Sequence, residues 1–349
     1  MTRSITIADR EIGPGQPPFV IAEISANHNG SLNRALDIMR AAKDAGADAV
    51  KLQTYTPDTM TIDHDGSDFS IKGGLWDGST LYDLYKTACT PWEWHADLFA
   101  CGRELGLIVF STPFDFTAVD FLAKLDAPAY KIASFELIDL PLIRKCAEVG
   151  KPMIMSTGMA DLAEISVAVK TARDAGASDI ALLHCTSGYP APPEESDLRT
   201  IPHLAEAFGL PTGLSDHTPG IAAAVASIAL GATIIEKHFT LRRADGGPDA
   251  AFSLEPDEFR ALCDNARLAW QALGGVRYEK SASEMGNAQF RRSLYIVEDM
   301  KSGDVLTEKN LRAIRPGYGL APKYFDCLIG KHVNQAVNRG TPASWALFG

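Results

Sequence analysis

Eight short apolar segments, alternating with longer stretches, constrain the fold of this chain most strongly. The stretches between several of them show the spacing of apolar residues that is typical of amphipathic helices. The segments are residues 19–24, 49–53, 107–111, 129–132, 153–156, 180–184, 212–215 and 233–238. Near-continuous apolar runs of this length predict the strands of a parallel sheet that is covered by helices.

Polar side chains end or directly follow each predicted strand. They are Glu23, Lys51, Gln53, Thr112, Lys131, Ser134, Ser156, His184, Ser215, His217, Glu236 and His238. In a barrel the C-terminal ends of all strands meet at one mouth, whereas an open doubly wound sheet would spread them along an edge. We therefore predict an α/β fold with a TIM (β/α)8 barrel over residues 1–274, and the doubly wound sheet is the alternative.

The chain beyond the predicted barrel changes in character. Residues 275–289 are polar and weakly patterned, as expected for a linker. Residues 290–349 contain short segments broken by Gly and Pro, which predict a small β-rich domain. Its predicted strands are residues 294–297, 301–304 and 315–319.

A long connection, residues 54–90, follows the second predicted strand and is rich in Asp, Gly and Tyr. Long loops at the active face of a barrel usually have a function, so we interpret this segment as a lid specific to the substrate. The helix predicted after it, residues 91–105, has Thr90 at its cap position and Glu93 three residues later. This spacing predicts a capping box.

Composition and charge exclude several classes of function. The net charge of −11 argues against a nucleic-acid partner, which requires clustered Lys and Arg. No apolar run is long enough for a membrane span, so we expect no membrane partner, and residues 1–10 carry charges in place of an apolar signal core. The six cysteines have no paired C-x-x-C spacing, which predicts free thiols and a cytoplasmic protein. The motifs of nucleotide hydrolysis, dehydrogenation, zinc proteolysis and serine hydrolysis are missing from the sequence.

Two lysines, Lys51 and Lys131, lie within apolar predicted strands, where a charge is costly unless it meets an opposite charge. A bound phosphate group would neutralise them, and the strand-end hydroxyls would add donors. An internal salt bridge with Glu23 or Glu236 is the alternative, and convergence of the strand ends favours the phosphate. Taken singly, each hydroxyl is typical of a strand-end cap.

Two histidines, His217 and His238, end the seventh and eighth predicted strands, which are neighbours in a barrel. Together they can bind one divalent metal with open positions, a site able to polarise a carbonyl group. A structural role for both is the alternative. Glu236 is a further candidate ligand or an orienting group. His184, at the end of the sixth predicted strand, is a weaker candidate, and a hydrogen bond within the barrel is its alternative role.

Motifs along the whole chain resemble the sialic acid synthase family. They are AEISANHNG from residue 22, KLQTY from 51, STPF from 111, YKIAS from 130, STGM from 156, HCTSGYP from 184, GLSDHT from 213 and IEKHF from 235. The segments at 291–293 and 315–317 resemble the family's SAF domain, an antifreeze-like domain of the β-clip type. Within the lid and just after it, KGGLW from 72, LYDLY from 81 and TPWEWH from 90 resemble the branch that makes pseudaminic acid.

This resemblance implies a transferase that condenses phosphoenolpyruvate with an amino-sugar aldehyde, 2,4-diacetamido-2,4,6-trideoxy-L-altrose in the pseudaminic acid branch. Other amino-sugar acceptors, giving N-acetylneuraminate or legionaminate, are the alternative, and a non-catalytic carbohydrate-binding protein is a more remote one. The resemblance also implies a homodimer in which the SAF domain of one chain covers the barrel of the other.

The same resemblance assigns roles to individual residues. Glu23, His217 and His238 are expected to be catalytic, and the two histidines to bind manganese or magnesium. The residues expected to hold phosphoenolpyruvate are Lys51, Thr112, Lys131, Ser134, Ser156, Ser187 and Ser215. Those expected to hold the sugar are Gln53, Tyr189, Asp249 and, from the partner chain, Arg315. Ser187 departs from relatives that use N-acetylmannosamine, which often have Asn there, and this favours a different sugar.

Overall fold

A computed structural model describes residues 3–349 of the chain. These residues divide into two compact units, the first ending at Gly274 and the second running Gly275–Gly349. Residues 1 and 2 of the predicted barrel domain lie outside the described residues. No helix in the described part of the chain is both long enough and apolar enough to cross a membrane.

The first unit begins with a small antiparallel hairpin that the sequence reasoning missed. Its strands are β1 (Ile5–Ile7) and β2 (Arg10–Ile12). The side chains of Ile5, Ile7 and Ile12 are buried in one cluster with Phe19, Ala49 and other apolar residues from the start of the barrel strands. The hairpin therefore packs against the N-terminal end of the barrel, opposite to the mouth.

Eight parallel strands follow and close into a barrel. They are β3 (Phe19–Glu23), β4 (Ala49–Thr54), β5 (Ile108–Pro113), β6 (Tyr130–Ile132), β7 (Met153–Ser156), β8 (Ile180–Cys185), β9 (Thr212–Asp216) and β10 (Ile234–His238). Strand β10 pairs with β3 and places His238 beside Glu23, so the sheet has no free edge. The predicted barrel is confirmed, and the doubly wound sheet is excluded because it would leave these two strands unpaired.

Helices surround the barrel, and all but two short ones bury one face. They are α1 (Leu32–Asp44), α2 (Pro57–Met60), α3 (Leu81–Ala88), α4 (His95–Leu105), α5 (Phe116–Lys124), α6 (Leu140–Glu148), α7 (Leu162–Asp174), α8 (Thr200–Phe208), α9 (Ala222–Ala229) and α10 (Pro256–Leu273). The short α2 and α3 belong to the long connection after β4. Helix α10 illustrates the pattern, since its buried Phe259, Leu262, Cys263 and Ala266 recur at helical spacing.

The capping box predicted at Thr90 and Glu93 is wrong. A 3-10 turn, Trp92–Trp94, comes first, and α4 begins only at His95 without a side-chain cap. Thr90 is buried, and its hydroxyl lies 3.5 Å from Nε2 of His28. The hydroxyl is therefore turned towards the barrel and does not reach the helix backbone.

The second unit has its own small core. Its elements are α11 (Ala282–Met285), β11 (Ser293–Ile296), β12 (Leu311–Ile314) and α12 (Phe325–Leu328). The two strands pair antiparallel, and Leu294, Ile296 and Leu311 are fully buried in the core of this unit. Helix α11 lies within residues 275–289, which were predicted to form a linker.

Two of the three strands predicted in this unit are wrong. The predicted strand at 294–297 overlaps β11, but residues 301–304 form a turn in which the amide of Asp304 donates to the carbonyl of Lys301. Gly303 adopts a positive φ of 89° there, which a strand does not allow. The predicted strand at 315–319 is absent as well, since β12 already ends at Ile314. Pro316 has no amide hydrogen with which to continue the ladder.

Candidate active site

The C-terminal ends of the barrel strands surround one cavity of about 590 Å³. Thirteen of the candidate residues named from the sequence line it. They are Lys51, Gln53, Thr112, Lys131, Ser134, Ser156, Ser187, Tyr189, Ser215, His217, Glu236, His238 and Asp249. Side chains two apart on a strand point to the same side, which is why both Lys51 and Gln53 of β4 reach the cavity.

A compact cluster of buried charges forms one part of this site. Nζ of Lys51 lies 2.7 Å from Oε1 of Glu236 and 3.1 Å from Oε2 of Glu23. Nζ of Lys131 lies 3.5 Å from the same Oε1 of Glu236, to which Oγ of Ser215 also donates at 3.1 Å. Both lysines therefore have internal carboxylate partners, as the salt-bridge alternative required, and both also face the cavity.

These four groups differ in how they hold their protons. Burial raises the pKa of Glu23 to about 7, against the attraction of Lys51. Burial alone would also raise the pKa of Glu236, but the charges of Lys131 and Lys51 outweigh burial and lower it to about 2. Burial lowers the pKa of Lys131 to about 8, whereas the pKa of Lys51 is raised because its two carboxylate partners outweigh burial. The two lysines face two carboxylates, of which Glu23 is the more readily protonated, so an added anion can be neutralised by this cluster.

Several buried polar atoms around the cavity lack a hydrogen-bond partner within residues 3–349. They include Oγ1 of Thr112, Oγ of Ser156, Oε2 of Glu236 and Nδ1 of His238. A buried polar group without a partner costs about 1–3 kcal/mol, so native structures contain few. Four of them at one cavity indicate a site built to receive a polar ligand.

The two histidines lie side by side at the mouth, with ring centroids 5.3 Å apart. Nδ1 of His217 lies 3.0 Å from the carbonyl oxygen of Thr186. Donation to that carbonyl leaves the lone pair on Nε2 free for a ligand. The pKa of His238 is well below its usual value, first because of burial and then because of the neighbouring His217, so its imidazole is neutral.

This donor set fits a divalent metal that takes its remaining ligands from water or substrate. No group of three or more His, Cys, Asp or Glu among the described residues is arranged as a complete metal site. Neutral imidazoles are metal ligands, and Nδ1 of His238 is one of the unpartnered buried atoms. Two protein ligands leave several coordination positions open to water or substrate, and an open position is what distinguishes a catalytic metal site from a structural one.

A chain of hydrogen bonds forms another wall of the site. Nε2 of Gln53 donates to Oε1 of Glu23 at 3.0 Å and to Oγ of Ser25 at 3.2 Å. Oγ of Ser25 in turn donates to Oδ2 of Asp249. Ser25 is buried and has a positive φ of 48°, a strained conformation of the kind that clusters at functional sites. The ring of Tyr189 lies beside this wall, 4.4 Å from that of His217 between centroids.

The long connection after β4 supplies much of the remaining cavity wall. The residues it contributes are Tyr55, Met60, Ile71, Trp76, Leu81, Leu84, Tyr85 and Ala88. The amide of Ile71 donates to the carbonyl of Ser79, and Nε1 of Trp76 donates to the carbonyl of Pro248 at 3.0 Å. The segment is therefore tied to the barrel mouth at a point next to Asp249.

Three predicted residues lie elsewhere. Glu23 is fully buried behind Lys51 and Gln53 and does not line the cavity. His184 lies outside it, with Nε2 placed 2.7 Å from the carbonyl oxygen of Ser196. Arg315 belongs to the second compact unit.

Cys185 and Glu136 line the cavity but were missed. Sγ of Cys185 lies 3.8 Å from Nδ1 of His217. Strand alternation could have identified this thiol, because Ala181 and Leu183 of the same strand face the barrel interior and Cys185 continues that face. Glu136 lies in a 3-10 turn after β6, for which alternation gives no signal.

Comparison with known proteins agrees with this architecture. Residues 38–278 match the model of the NeuB family, and residues 291–348 match that of the SAF domain. The chain is 44% identical over 322 residues to the pseudaminic acid synthase of Campylobacter jejuni subsp. jejuni serotype O:23/36 (strain 81-176). This alignment covers 92% of this chain and 94% of that protein. It is 42% identical over 330 residues to the pseudaminic acid synthase of Helicobacter pylori (strain ATCC 700392 / 26695), covering 94% of this chain and 97% of that one.

A solved structure shares the fold. The N-acetylneuraminic acid (sialic acid) synthetase of Leptospira borgpetersenii serovar Hardjo-bovis superposes with a TM-score of 0.74 at 31% identity. The superposition covers 82% of this chain and 95% of that chain. The curated relatives named above match nearly the full length of this chain.

Proposed function

Because this chain belongs to the NeuB family and carries a C-terminal SAF domain, we propose that it catalyses the pseudaminic acid synthase reaction. In this reaction phosphoenolpyruvate, 2,4-diacetamido-2,4,6-trideoxy-L-altrose and water give pseudaminic acid and phosphate. The choice of acceptor is supported by identities of 42–45% to relatives named for this activity, over 92–94% of the chain. The enzyme is accordingly a transferase that forms a carbon–carbon bond.

The observation that carries this proposal is the pairing of two buried lysines with unpartnered hydroxyls at one cavity. Lys51 and Lys131 supply positive charge, and Oγ1 of Thr112 and Oγ of Ser156 are buried without partners in the described part of the chain. The phosphate and carboxylate oxygens of phosphoenolpyruvate carry negative charge for the lysines and accept hydrogen bonds from the hydroxyls. Ser134, Ser187 and Ser215 line the same cavity and complete the phosphoenolpyruvate site.

The two substrates react at the mouth of the barrel. Carbon 3 of phosphoenolpyruvate attacks the aldehyde carbon of the open-chain sugar, and positive charge develops at carbon 2. The carboxylates of Glu23 and Glu236, which lie within the lysine cluster, stabilise that charge. Water adds at carbon 2 and loses a proton, while the former aldehyde oxygen gains one. The hydroxyl on carbon 2 then loses its proton and becomes the keto carbonyl as the bond between carbon 2 and the bridging oxygen breaks, and the departing phosphate takes up that proton.

Glu23 does not line the cavity, so a proton that it exchanges during water addition passes through its partner Lys51 or a bridging water. The pKa of Glu23, about 7, lies close to the operating pH, which is where general acid–base groups are most effective. The amide of Gln53 holds its Oε1, so the carboxylate keeps one orientation. Lys51 and Lys131 hold the phosphate until it departs.

His217 and His238 are the residues that would hold a divalent metal, Mn²⁺ or Mg²⁺. When bound, the metal polarises a carbonyl oxygen as a Lewis acid. The hydrogen bond between His217 and the Thr186 carbonyl fixes the orientation of one ring, and burial keeps the other neutral.

The acceptor sugar lies against Gln53, Tyr189 and Asp249. The proposal includes a cytoplasmic homodimer in which Arg315 of a second copy reaches the sugar. Resemblance to the family supports this arrangement, and a single chain supplies the other residues of the site.

A panel of acceptors tests the proposed function. Purified protein with phosphoenolpyruvate and Mn²⁺ is assayed for phosphate release, and the product mass is measured with the trideoxy sugar and with N-acetylmannosamine. We expect phosphate release and a nine-carbon acid with the mass of pseudaminic acid from the trideoxy sugar. Preference for N-acetylmannosamine would assign the chain to a different member of the family, and sugar binding without phosphate release would remove the catalytic role.

A further inference from the structure

The cavity has two chemically different parts. Its charged part is built by the ends of the barrel strands, whereas the opposite part is built mainly by the connection after β4 and is apolar. We call this second part the apolar lobe and define it by Tyr55, Ile71, Trp76, Leu84, Tyr85 and Phe114. Neither phosphoenolpyruvate nor a metal ion has apolar groups that would use such a surface.

Aromatic packing sets the base of the apolar lobe. Tyr55 is buried, and its ring meets those of Tyr85 and Phe114 edge to face, at centroid distances of 5.8 and 5.2 Å. Phe114 directly follows β5, so the barrel itself fixes one side of this group. Edge-to-face pairs of this kind hold aromatic rings in defined positions.

Backbone hydrogen bonds fix the aliphatic side of the apolar lobe. Helix α3, which carries Leu84 and Tyr85, is capped by Oγ1 of Thr80, which accepts from the amide of Asp83. The amide of Ile71 donates to the carbonyl of Ser79, and its carbonyl accepts from the amide of Gly78. Ile71 and Leu84 are therefore held in place before a ligand arrives.

Trp76 joins the apolar lobe to the proposed acceptor side. Its indole Nε1 donates to the carbonyl of Pro248, the residue before Asp249. Its ring centroid lies 5.9 Å from that of Tyr189, whose ring in turn lies 4.4 Å from that of His217. The lobe is thus continuous with Tyr189 and Asp249.

We propose that the apolar lobe binds the methyl groups of the acceptor and selects for a deoxygenated, N-acetylated sugar. The inference rests on the proposed function. The proposed acceptor carries three methyl groups, one at carbon 6 and one on each acetamido group. Ile71, Leu84 and the face of Trp76 offer these methyl groups apolar contact, whereas a hydroxyl at carbon 6 would be desolvated against the same side chains.

Matched substitutions in the same segment test this role. Ile71→Asn and Leu84→Asn make the apolar lobe polar. Ile62→Asn and Leu75→Asn are the controls, because these two side chains are 58% and 48% exposed and do not line the cavity. For each protein, kcat/KM is measured with the trideoxy sugar and with an analogue of the same configuration that has a hydroxyl at carbon 6.

We expect kcat/KM for the trideoxy sugar to fall about 10–100-fold in Ile71→Asn and Leu84→Asn, the range that loss of a methyl contact gives. The loss should appear as a higher KM for the sugar, with the KM for phosphoenolpyruvate unchanged. The preference for the trideoxy sugar over its hydroxyl analogue should fall in the same variants. Both control variants should keep the wild-type preference within about twofold.

Two results would overturn the proposal, and they are distinguishable from each other. If the wild type is active but Ile71→Asn and Leu84→Asn keep its acceptor preference, or lose rate equally for both sugars, the role of the apolar lobe alone is overturned. A wild type that is inactive towards the trideoxy sugar overturns the proposed function and the lobe's ligand with it. If an Asn variant does not fold, Ile71→Ala and Leu84→Ala remove part of the same surface and should also lower the preference.

Discussion

Lys51 and Lys131 are both buried, yet they differ in how firmly they are paired. Lys51 has two carboxylates within 3.1 Å, whereas Lys131 has one at 3.5 Å. Burial therefore dominates at Lys131 and lowers its pKa to about 8, while the pKa of Lys51 is raised. Lys131 is the lysine that has most to gain from an incoming phosphate.

The rate with phosphoenolpyruvate should depend on pH through Lys131. Its ammonium group is present below its pKa of about 8 and is lost above it, so kcat/KM for phosphoenolpyruvate should fall as pH rises through about 8. In Lys131→Arg the side chain stays charged, and this fall should disappear even if the overall rate is lower. An unchanged fall in Lys131→Arg, or a flat wild-type profile up to pH 9.5, would contradict the role of Lys131.

Removing either histidine should weaken metal binding without unfolding the chain. His217→Ala or His238→Ala each removes one of two proposed protein ligands, so we expect Mn²⁺ affinity, measured by calorimetry, to fall about 10–100-fold or more. His203→Ala on the exposed side of α8 is the control and should bind Mn²⁺ like the wild type. Unchanged affinity in both site variants would remove the two histidines from the metal site.

The residues of the site that could be predicted are those at strand ends. Lys51, Lys131 and His238 stood out because charged or metal-binding side chains rarely interrupt apolar strands. Cys185 was missed because the predicted strand ended at His184, although alternation places the thiol inside and the imidazole outside. The apolar lobe could not be predicted, because apolar residues such as Leu84 in a connection carry no signal of where that connection folds.

The same distinction holds for whole elements. The eight barrel strands were predicted to within two residues at every boundary, because each is a buried apolar run between helices. The hairpin β1–β2 was missed because strands of three residues are too short to show alternation. The strands of the second unit were largely mispredicted because this unit is held mostly by turns and isolated bridges.

The hairpin should contribute to stability and not to chemistry. Ile7 is fully buried against the barrel, so Ile7→Ala should lower the free energy of unfolding by about 2–5 kcal/mol. Thr6→Ala, at the exposed position beside it, should change it by about 0.5 kcal/mol or less. Urea denaturation measures both, and equal effects would show that the hairpin is not packed as described.

A buried ion pair joins the ends of β9 and β10, next to the two histidines. Nζ of Lys237 lies 2.7 Å from Oδ2 of Asp216, and both side chains are almost completely buried. Asp216→Asn leaves the ammonium group unpaired, so we expect a loss of about 3–5 kcal/mol in urea denaturation. Asp174→Asn breaks an exposed ion pair with Lys170 and should cost about 1 kcal/mol or less. A similar small cost for Asp216→Asn would contradict the buried pairing.

At the scale of the whole molecule, each unit has its own core, and the proposed function needs both. The first unit holds the cavity, and the second holds Arg315. The first compact unit ends at Gly274, close to where the sequence pattern changes. The proposed role of Arg315 follows only from resemblance to the family.

Arg315→Ala in the full chain should raise the KM for the acceptor sugar about tenfold or more and leave the KM for phosphoenolpyruvate unchanged, because a guanidinium contact to a substrate contributes about 1.5–3 kcal/mol. Steady-state kinetics with each substrate varied in turn measures this. Arg312→Ala, an exposed arginine of β12, is the control and should behave like the wild type. Unchanged sugar kinetics in Arg315→Ala would contradict the proposed contact between Arg315 and the acceptor sugar.

Isotope labelling of phosphoenolpyruvate tests the central claim, that strand-end side chains at one barrel mouth condense phosphoenolpyruvate with the trideoxy sugar. The bridging oxygen between carbon 2 and phosphorus is labelled with ¹⁸O, and both products are examined by mass spectrometry. The account predicts a nine-carbon acid without label and phosphate that carries it. Label retained in the acid, or the absence of a nine-carbon product, would contradict it.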